Sequence, residues 1–302
     1  MELRWIEAFI AVAEELHFGR AAERLRMAQS PLSQTIKKLE RALGGPLFDR
    51  NTRTVSLTAA GHSFLPHARR IVEELDLAKR AANATEGGVY GRVSIGFSGA
   101  LNHLTLPPLT RALRATYPNI AISLVDRVMT DEALQQLTQG SLDLAFIGLP
   151  VETSSIANRV IATEPLSAVL PLDHPLSGQV EIDLAVLADE DFVAMPRYPG
   201  SALRDALTRA GAGAGFHPRI VQEVVDPFLV LSLVGAGVGI SLVPECLKSI
   251  APAGTIFVPL AGVDGPRLVT GIAWNPDHSS EALRATLALA EKILPTPELA
   301  TP

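Results

Sequence analysis

The 302-residue chain has a single cysteine, Cys246, so no disulfide can form within it, and a reducing compartment is expected. Cys246 lies in the apolar run Leu242-Val243-Pro244-Glu245-Cys246-Leu247, which reads as core packing and not as redox chemistry. The first residues include Glu2, Arg4 and Glu7, which interrupt any apolar run that a secretory signal would need, so a cytoplasmic protein is expected. One long stretch without charge, Pro227 to Pro244, raises the question of a membrane. Proline opens and closes it, and Gly235, Gly237 and Gly239 break it. A buried helix, a glycine turn and a buried strand are expected there, and no membrane association.

Signs of catalysis are equally sparse. The histidines are scattered at positions 17, 62, 67, 103, 174, 217 and 278. His62 and His67 are five apart, which is not a two-ligand helical spacing, and no Cys/His cluster suits zinc. His103 near Ser98 has neither a GxSxG turn nor a third partner. The run Gly235-Ala236-Gly237-Val238-Gly239 lacks the final spacing of a dinucleotide loop and precedes a strand instead of following one. Gly211, Gly213 and Gly215 read as a helix stop and turn. The expectation is a protein that is not an enzyme and needs no metal or other cofactor.

What remains is a well-packed chain, 47% hydrophobic and 19% charged, long enough for two or three folding units. Its net charge of −6 is unevenly spread. Residues 1–86 carry 13 Lys and Arg against 11 Asp and Glu, and residues 87–302 carry 13 against 21, giving +2 and −8. Within Phe18 to Leu57 the count is eight basic against three acidic. A positive cluster on an acidic protein assigns contact with a polyanion to this first module.

In that module Leu3, Ile6, Phe9, Ile10 and Ala13 recur at helical spacing. A short second helix is expected from Phe18 to Leu25, its Ala21 and Ala22 allowing close approach of a neighbour. After Arg26-Met27-Ala28, Ser30 is expected to cap a third helix with Pro31 in its first turn. Leu32, Ile36, Leu39 and Leu43 would line its inner face, and Gly44-Gly45 would end it. A short helix, a tight turn and a longer helix make the helix-turn-helix plan, whose second helix enters the major groove of DNA. Ser30, Ser33, Gln34 and Lys37 then face outward at the helix start. Gln34 is suited to paired hydrogen bonds with a base edge, and Ser33 and Lys37 to bases or phosphates. Leu47-Phe48 and Val55-Ser56-Leu57 read as strands around a hairpin wing carrying Arg50 and Arg53.

The run Glu14-Glu15-Leu16-His17-Phe18-Gly19-Arg20-Ala21-Ala22-Glu23-Arg24-Leu25 resembles the signature of LysR-type transcriptional regulators. The likeness continues through Gln29-Ser30-Pro31-Leu32-Ser33-Gln34-Thr35-Ile36, Lys38-Leu39-Glu40, Pro46-Leu47-Phe48-Asp49-Arg50 and Leu57-Thr58-Ala59-Ala60-Gly61. By the family pattern Gln29, Pro31, Ser33, Gln34, Lys37 and Arg53 are the DNA contacts. Ser30 replaces a common proline, and Gln34 stands where arginine is frequent, so base preference there is not carried over.

Downstream, Thr58 is expected to cap a helix to about Thr85, with Phe64, Ala68, Ile71, Leu75, Ala78 and Ala82 as a heptad seam for a homodimer. Alternating strand and helix patterns follow from Arg92, which argues a mostly parallel sheet with helices on its faces. The resemblance implies two lobes like those of periplasmic solute-binding proteins, with crossings near Ala162 and Leu260, and tetramers built on the dimer. The expected layout is a winged helix-turn-helix at 1–57, a linker helix at 58–86 and an effector domain at 87–302. Lobe 1 would take about 91–161 and 267–296, and lobe 2 about 162–266.

Open parallel sheets bind ligands beyond the carboxyl ends of their strands. Those positions hold Ser98, Gly99, Ala100, Thr130 and Gly148 in one lobe and Arg197, Ser201, Pro227 and Phe228 in the other. Family position favours Ser98, Ala100 and Thr130. The expected ligand is a small carboxylate held between the lobes, and the other partners are double-stranded DNA with an interrupted dyad and RNA polymerase. The competing readings, a solute-binding protein without regulatory function or an enzyme of this fold, leave the first 61 residues unexplained.

Overall fold

A computed structural model describes residues 1–50, 55–82, 88–197, 200–262 and 265–297, with backbone alone at Arg50, Leu77, Arg80 and Ala81. The chain forms two units, Met1–Tyr90 and Gly91–Pro302.

The first unit contains α1 (Leu3–Glu15), α2 (Phe18–Arg24), α3 (Gln29–Leu43), β1 (Phe48–Arg50), β2 (Val55–Leu57) and α4 (Ala59–Ala82). Ile6, Phe9 and Val12 of α1 are buried against Ala21 and Ala22 of α2 and against Leu32, Ile36 and Leu39 of α3. The Phe9 ring lies 5.3 Å from Phe48 and 5.2 Å from Phe64, and Phe18 lies 6.0 Å from Phe48, so one aromatic cluster ties α1, α2, β1 and α4 together. Strands β1 and β2 pair antiparallel, Phe48 opposite Leu57 and Arg50 opposite Val55. The wing tip with Arg53 lies outside the described residues.

Two expectations for α3 change. Ala28 and not Ser30 holds the cap position, and α3 starts at Gln29 without a side-chain cap. The cause lies upstream: Arg26 takes φ +54 and Met27 N donates to Ala22 O at 2.9 Å, closing α2 so tightly that extended Ala28 already releases the next helix. Leu43 is exposed, because the last turn of α3 runs past the core before Gly44 ends it at φ +81.

Thr58 caps α4, its Oγ1 accepting from Gly61 N at 3.0 Å while donating to Pro46 O at 2.8 Å. The helix spans about 36 Å at 1.5 Å per residue. It contains Pro66, which removes one backbone donor from its interior. The expected continuous seam is divided. Phe64 and Ala68 join the unit's own core together with Val72, while Ile71 and Ala78 are exposed and Leu75 is half-buried.

The second unit begins with β3 (Gly91–Gly96), α5 (Leu106–Thr116), β4 (Ile120–Val125), α6 (Thr130–Thr138) and β5 (Leu144–Leu149). Next come β6 (Ala157–Pro171), β7 (Asp191–Ala194), α7 (Ala202–Gly213), β8 (Arg219–Glu223) and α8 (Pro227–Gly235). It ends with β9 (Ser241–Pro244), β10 (Thr255–Pro259), β11 (Arg267–Trp274) and α9 (Glu281–Ile293). Strands β4, β3 and β5 are parallel neighbours, as are β7 and β8. The sheet is nevertheless mixed and not mostly parallel: β11 pairs antiparallel with β5 and β6, and β6 with β9 and β10. The reason is the crossing itself. Strand β6 is one 15-residue element whose Ala157–Pro165 segment pairs with β11 and whose later residues pair with β9 and β10. It changes lobe at Pro165–Leu166, and the chain returns between Leu260 and Arg267.

Each lobe keeps its own core. Val128, Leu137, Leu142 and Ile147 cluster in one, and Val169, Phe192, Leu231 and Val243 in the other. Ala100, Leu101 and Met129 of the first lobe pack against the core of the second. The charge-free stretch forms α8, a glycine turn and β9, with Val230, Leu231 and Val234 buried. No helix among the described residues is long and apolar enough to cross a membrane.

Candidate nucleic-acid interface and ligand cleft

Burial of Leu32, Ile36 and Leu39 fixes the rotation of α3. The opposite face carries Ser30, Gln34, Lys37 and Arg41 at successive spacings of 4, 3 and 4, all exposed. Gln29 and Pro31 are also exposed at its start, and Ser33 is half-buried. Among the described residues no hydrogen bond or ion pair engages Ser30, Ser33, Gln34 or Lys37. Their donors and acceptors are therefore open to an incoming polyanion. Arg41 belongs to the same row and was not singled out from sequence, although the i, i+4 relation to Lys37 marks it.

Three devices hold this face rigid. Glu40 Oε1 accepts from Leu47 N at 3.0 Å and Phe48 N at 3.4 Å, pinning the wing to the outer end of α3. His17 Nδ1 accepts from Gly19 N and Arg20 N at 3.0 and 3.2 Å, capping α2. Glu14 of α1 bonds Arg24 of α2 at 2.8 Å and Arg69 of α4 at 2.9 Å. Partial burial opposes ionisation of Glu14, but the hydrogen bonds from the two arginines outweigh it and hold the carboxyl below the usual value of 4.5.

In the second unit, Ser98, Thr130, Gly148 and Ser201 converge on one cavity between the lobes. Its wall also includes Leu101, Asn102, Val128, Met129, Phe146, Ile147, Met195, Leu203 and Thr270, and no charged side chain lines it. Asn102 is buried; its Oδ1 accepts from Ser98 N at 2.9 Å, and its amide N–H groups make no hydrogen bond among the described residues. Thr130 Oγ1 accepts from Gly148 N at 3.0 Å, which leaves its own proton available. Ser201 is buried with a hydroxyl that makes no hydrogen bond among the described residues. The cavity is thus apolar with a few convergent neutral donors. Asn102 and Thr270 escaped notice in the sequence because they sit inside elements, beyond the strand-end turns where ligand groups were sought.

The inner cavity measures only about 30 Å³, because the lobes touch. Thr130 N donates to Gly200 O at 3.2 Å across the cleft. A Cβ on Gly148 would fall 2.0 Å from the Ala202 methyl, and one on Gly200 would fall 2.4 Å from Asp131 N. An adjoining chamber of about 400 Å³ shares Met129, Met195 and Ser201 and adds Arg127, Asp131 and Glu132. Arg127, which the sequence reading passed over, has φ +60.

Other expected ligand residues lie elsewhere. Gly99 and Ala100 are absent from the cavity wall; Ala100 O accepts from His103 Nδ1 at 2.8 Å, and its methyl packs on the second lobe. Pro227 is buried as the first residue of α8, and Phe228 is exposed, its amide donating to the Asp226 cap at 2.8 Å. Arg197 lines a separate pocket on lobe 2 with Arg204 and His217. Cys246 is inert: burial, reinforced by a hydrogen bond with Glu164, pushes its thiol up far from the thiolate. Among the described residues no cluster of three or more His, Cys, Asp and Glu side chains can hold a metal ion.

Residues 3–62 match the model of the bacterial regulatory helix-turn-helix proteins of the lysR family, and residues 86–294 match the LysR substrate binding domain. The chain is 48% identical over 290 residues to the HTH-type transcriptional regulator ShiR of Corynebacterium glutamicum, covering 96% of this chain and 98% of that protein. It is 33% identical over 270 residues to BenM of Acinetobacter baylyi, covering 87% of each. Among solved structures, CbnR, a LysR family transcriptional regulator, superimposes with a TM-score of 0.79 at 28% identity, over 97% of this chain and 99% of that one. CbnR has also been solved in complex with its target DNA, and that structure aligns equally well. These matches cover both units and account for the helix-turn-helix, the two-lobed α/β fold and the cleft together: the chain belongs to the LysR family of transcriptional regulators.

Proposed function

We propose that the protein reads an interrupted dyad in double-stranded DNA through the exposed row on α3 and that a small organic carboxylate in the interlobe cleft adjusts this binding. The observation that carries the reading is the open row Ser30, Gln34, Lys37 on a helix whose rotation is fixed by buried Leu32, Ile36 and Leu39. In this reading Gln34 takes a base edge, Gln29, Pro31, Ser33 and Lys37 take bases or phosphates, and the sequence assigns Arg50 and Arg53 of the wing to backbone or minor groove. Two such helices are needed for a dyad, and the exposed Ile71 and Ala78 with half-buried Leu75 on α4 support pairing through the linker helix. Exposed Val221, Val225, Phe228 and Leu229 support further pairing to a tetramer. Action on DNA places the protein in the cytoplasm at the nucleoid, with RNA polymerase as the neighbour it acts upon.

The ligand's carboxylate is assigned to the neutral donors of Ser98, Asn102, Thr130 and Ser201, with Arg127 at the mouth. Neutral N–H and O–H donors suffice to hold a carboxylate in its charged form. Entry requires the Gly148–Ala202 and Thr130–Gly200 contacts to part, so the ligand favours a different lobe geometry, and that differential affinity is what couples cleft to DNA. Nothing in this reading calls for turnover. The test is competition anisotropy with the DNA upstream of the protein's own gene against a scrambled duplex at fixed salt. Specific retention with loss of site preference in Gln34→Ala supports the assignment, and unchanged preference in that variant removes Gln34 from base reading.

A further inference from the structure

Lobe 2 has a pocket of about 290 Å³ away from the cleft, lined by Arg197, Arg204, Leu207, His217, Pro218 and Ile220, with Thr208 at its edge. Its surroundings make the charge unusual. Residues 87–302 carry a net −8, yet this wall holds two arginines and a histidine and no carboxylate. The donors are largely unspent. Arg197 and His217 make no hydrogen bond or ion pair among the described residues. Among the described residues Arg204 engages Nη1 alone, on Met195 O at 2.9 Å and Glu223 Oε1 at 3.0 Å. The floor is apolar, with Leu207 buried and Pro218 and Ile220 half-buried.

We propose that this pocket is a second small-molecule site, for an organic anion with a compact apolar body. The planar fork of Arg197 matches a carboxylate bidentately, with His217 and Arg204 as further donors. Leu207, Pro218 and Ile220 take the hydrocarbon. A concave volume of this size fits a molecule of metabolite dimensions and is too small for a macromolecular face. The site also has a mechanical link to the cleft. Arg204 donates to the Met195 carbonyl, and Met195 is among the residues lining both cleft cavities. Drawing Arg204 toward a bound anion therefore acts on a residue that shapes the first site, which is how two ligands come to share a coupling free energy.

Cyclohexanecarboxylate is a suitable probe, titrated into full-length protein with labelled isoleucine δ1 methyl groups. Ile220 reports this pocket, and Ile147 reports the interlobe cleft. The Ile220 methyl is expected to shift saturably. Arg197→Ala/His217→Ala should weaken that response at least tenfold while the Ile147 signal still saturates, its midpoint altered only by the loss of coupling, and Arg197→Lys should restore only part of the Ile220 response. Both changed residues are exposed and make no hydrogen bond or ion pair among the described residues, so the fold is expected to be retained. A stationary Ile220 signal at saturating probe, or an undiminished response in the double variant, overturns the proposal. Neither result bears on the cleft, whose occupancy is read separately at Ile147.

Discussion

At the scale of single residues, the first unit depends on a few polar groups with definite partners. Glu14 is the clearest. Its carboxyl is held below the usual value, so its contribution to stability is present above about pH 4.5 and is lost as pH falls through the lower, folded-state value. Glu14→Gln is expected to cost about 0.5–1 kcal/mol at pH 7, given partners that are half exposed. The cost should vanish near pH 3, as read by urea denaturation at the two pH values. Gln34 is the counterpart for recognition. Gln34→Ala should lose about 1–3 kcal/mol of discrimination at one base pair per half-site while leaving non-specific affinity and its salt slope intact. The exposed side chains of Arg197 and His217 show what a residue-by-residue sequence reading cannot supply. Arg197 follows a strand, which groups it by sequence with the ligand turns, but its pocket is completed by residues of α7 and β8, which the local sequence does not encode.

At the scale of elements, apolar periodicity made α1, α2, α3 and the linker helix legible, since each buries one stripe against its neighbours. Periodicity said less about strands. The sequence pattern does not mark the segment Ala157–Pro165 or the strand β10, because both mix buried, half-buried and exposed positions without clean alternation. The same crossing strands turned an expected parallel sheet into a mixed one. In the linker helix the seam pattern was visible, but its division between internal core and free face was not, since an apolar residue does not announce which partner covers it. With the proposed pairing through α4, Leu75→Glu/Ile71→Glu should yield monomer in sedimentation equilibrium where the unaltered protein is dimeric, while leaving the helical content unchanged; a dimer persisting in the variant at micromolar concentration would exclude pairing through α4. Among the described glycines of the first unit Gly61 marks the tightest approach, with a Cβ there 2.2 Å from Leu47 O. Gly61→Ala is expected to destabilise the first unit by about 1–3 kcal/mol in thermal melts. Gly45→Ala, with nothing within 4 Å, should be close to neutral.

At the scale of the whole molecule, the cation-bearing unit and the acidic ligand-binding unit divide the work: one meets a polyanion, the other encloses small molecules. The family motifs made this division readable from the first 61 residues, and the cleft residues Ser98, Thr130, Gly148 and Ser201 could be found from strand ends alone. The closed state of the cleft could not, because it rests on Gly148 and Gly200 meeting residues distant in sequence. Recognition of a dyad by α3 is what ties the two units to one task. The most direct measurement is selection from a random duplex library by full-length protein at near-physiological salt, followed by sequencing of the retained DNA. An enriched interrupted palindrome with half-sites about one helical turn apart is expected, with loss of information at one position in each half-site when Gln34→Ala is used. Retained DNA with no enriched motif, or a motif unaltered by changes at Ser30, Gln34 and Lys37 together, would contradict it.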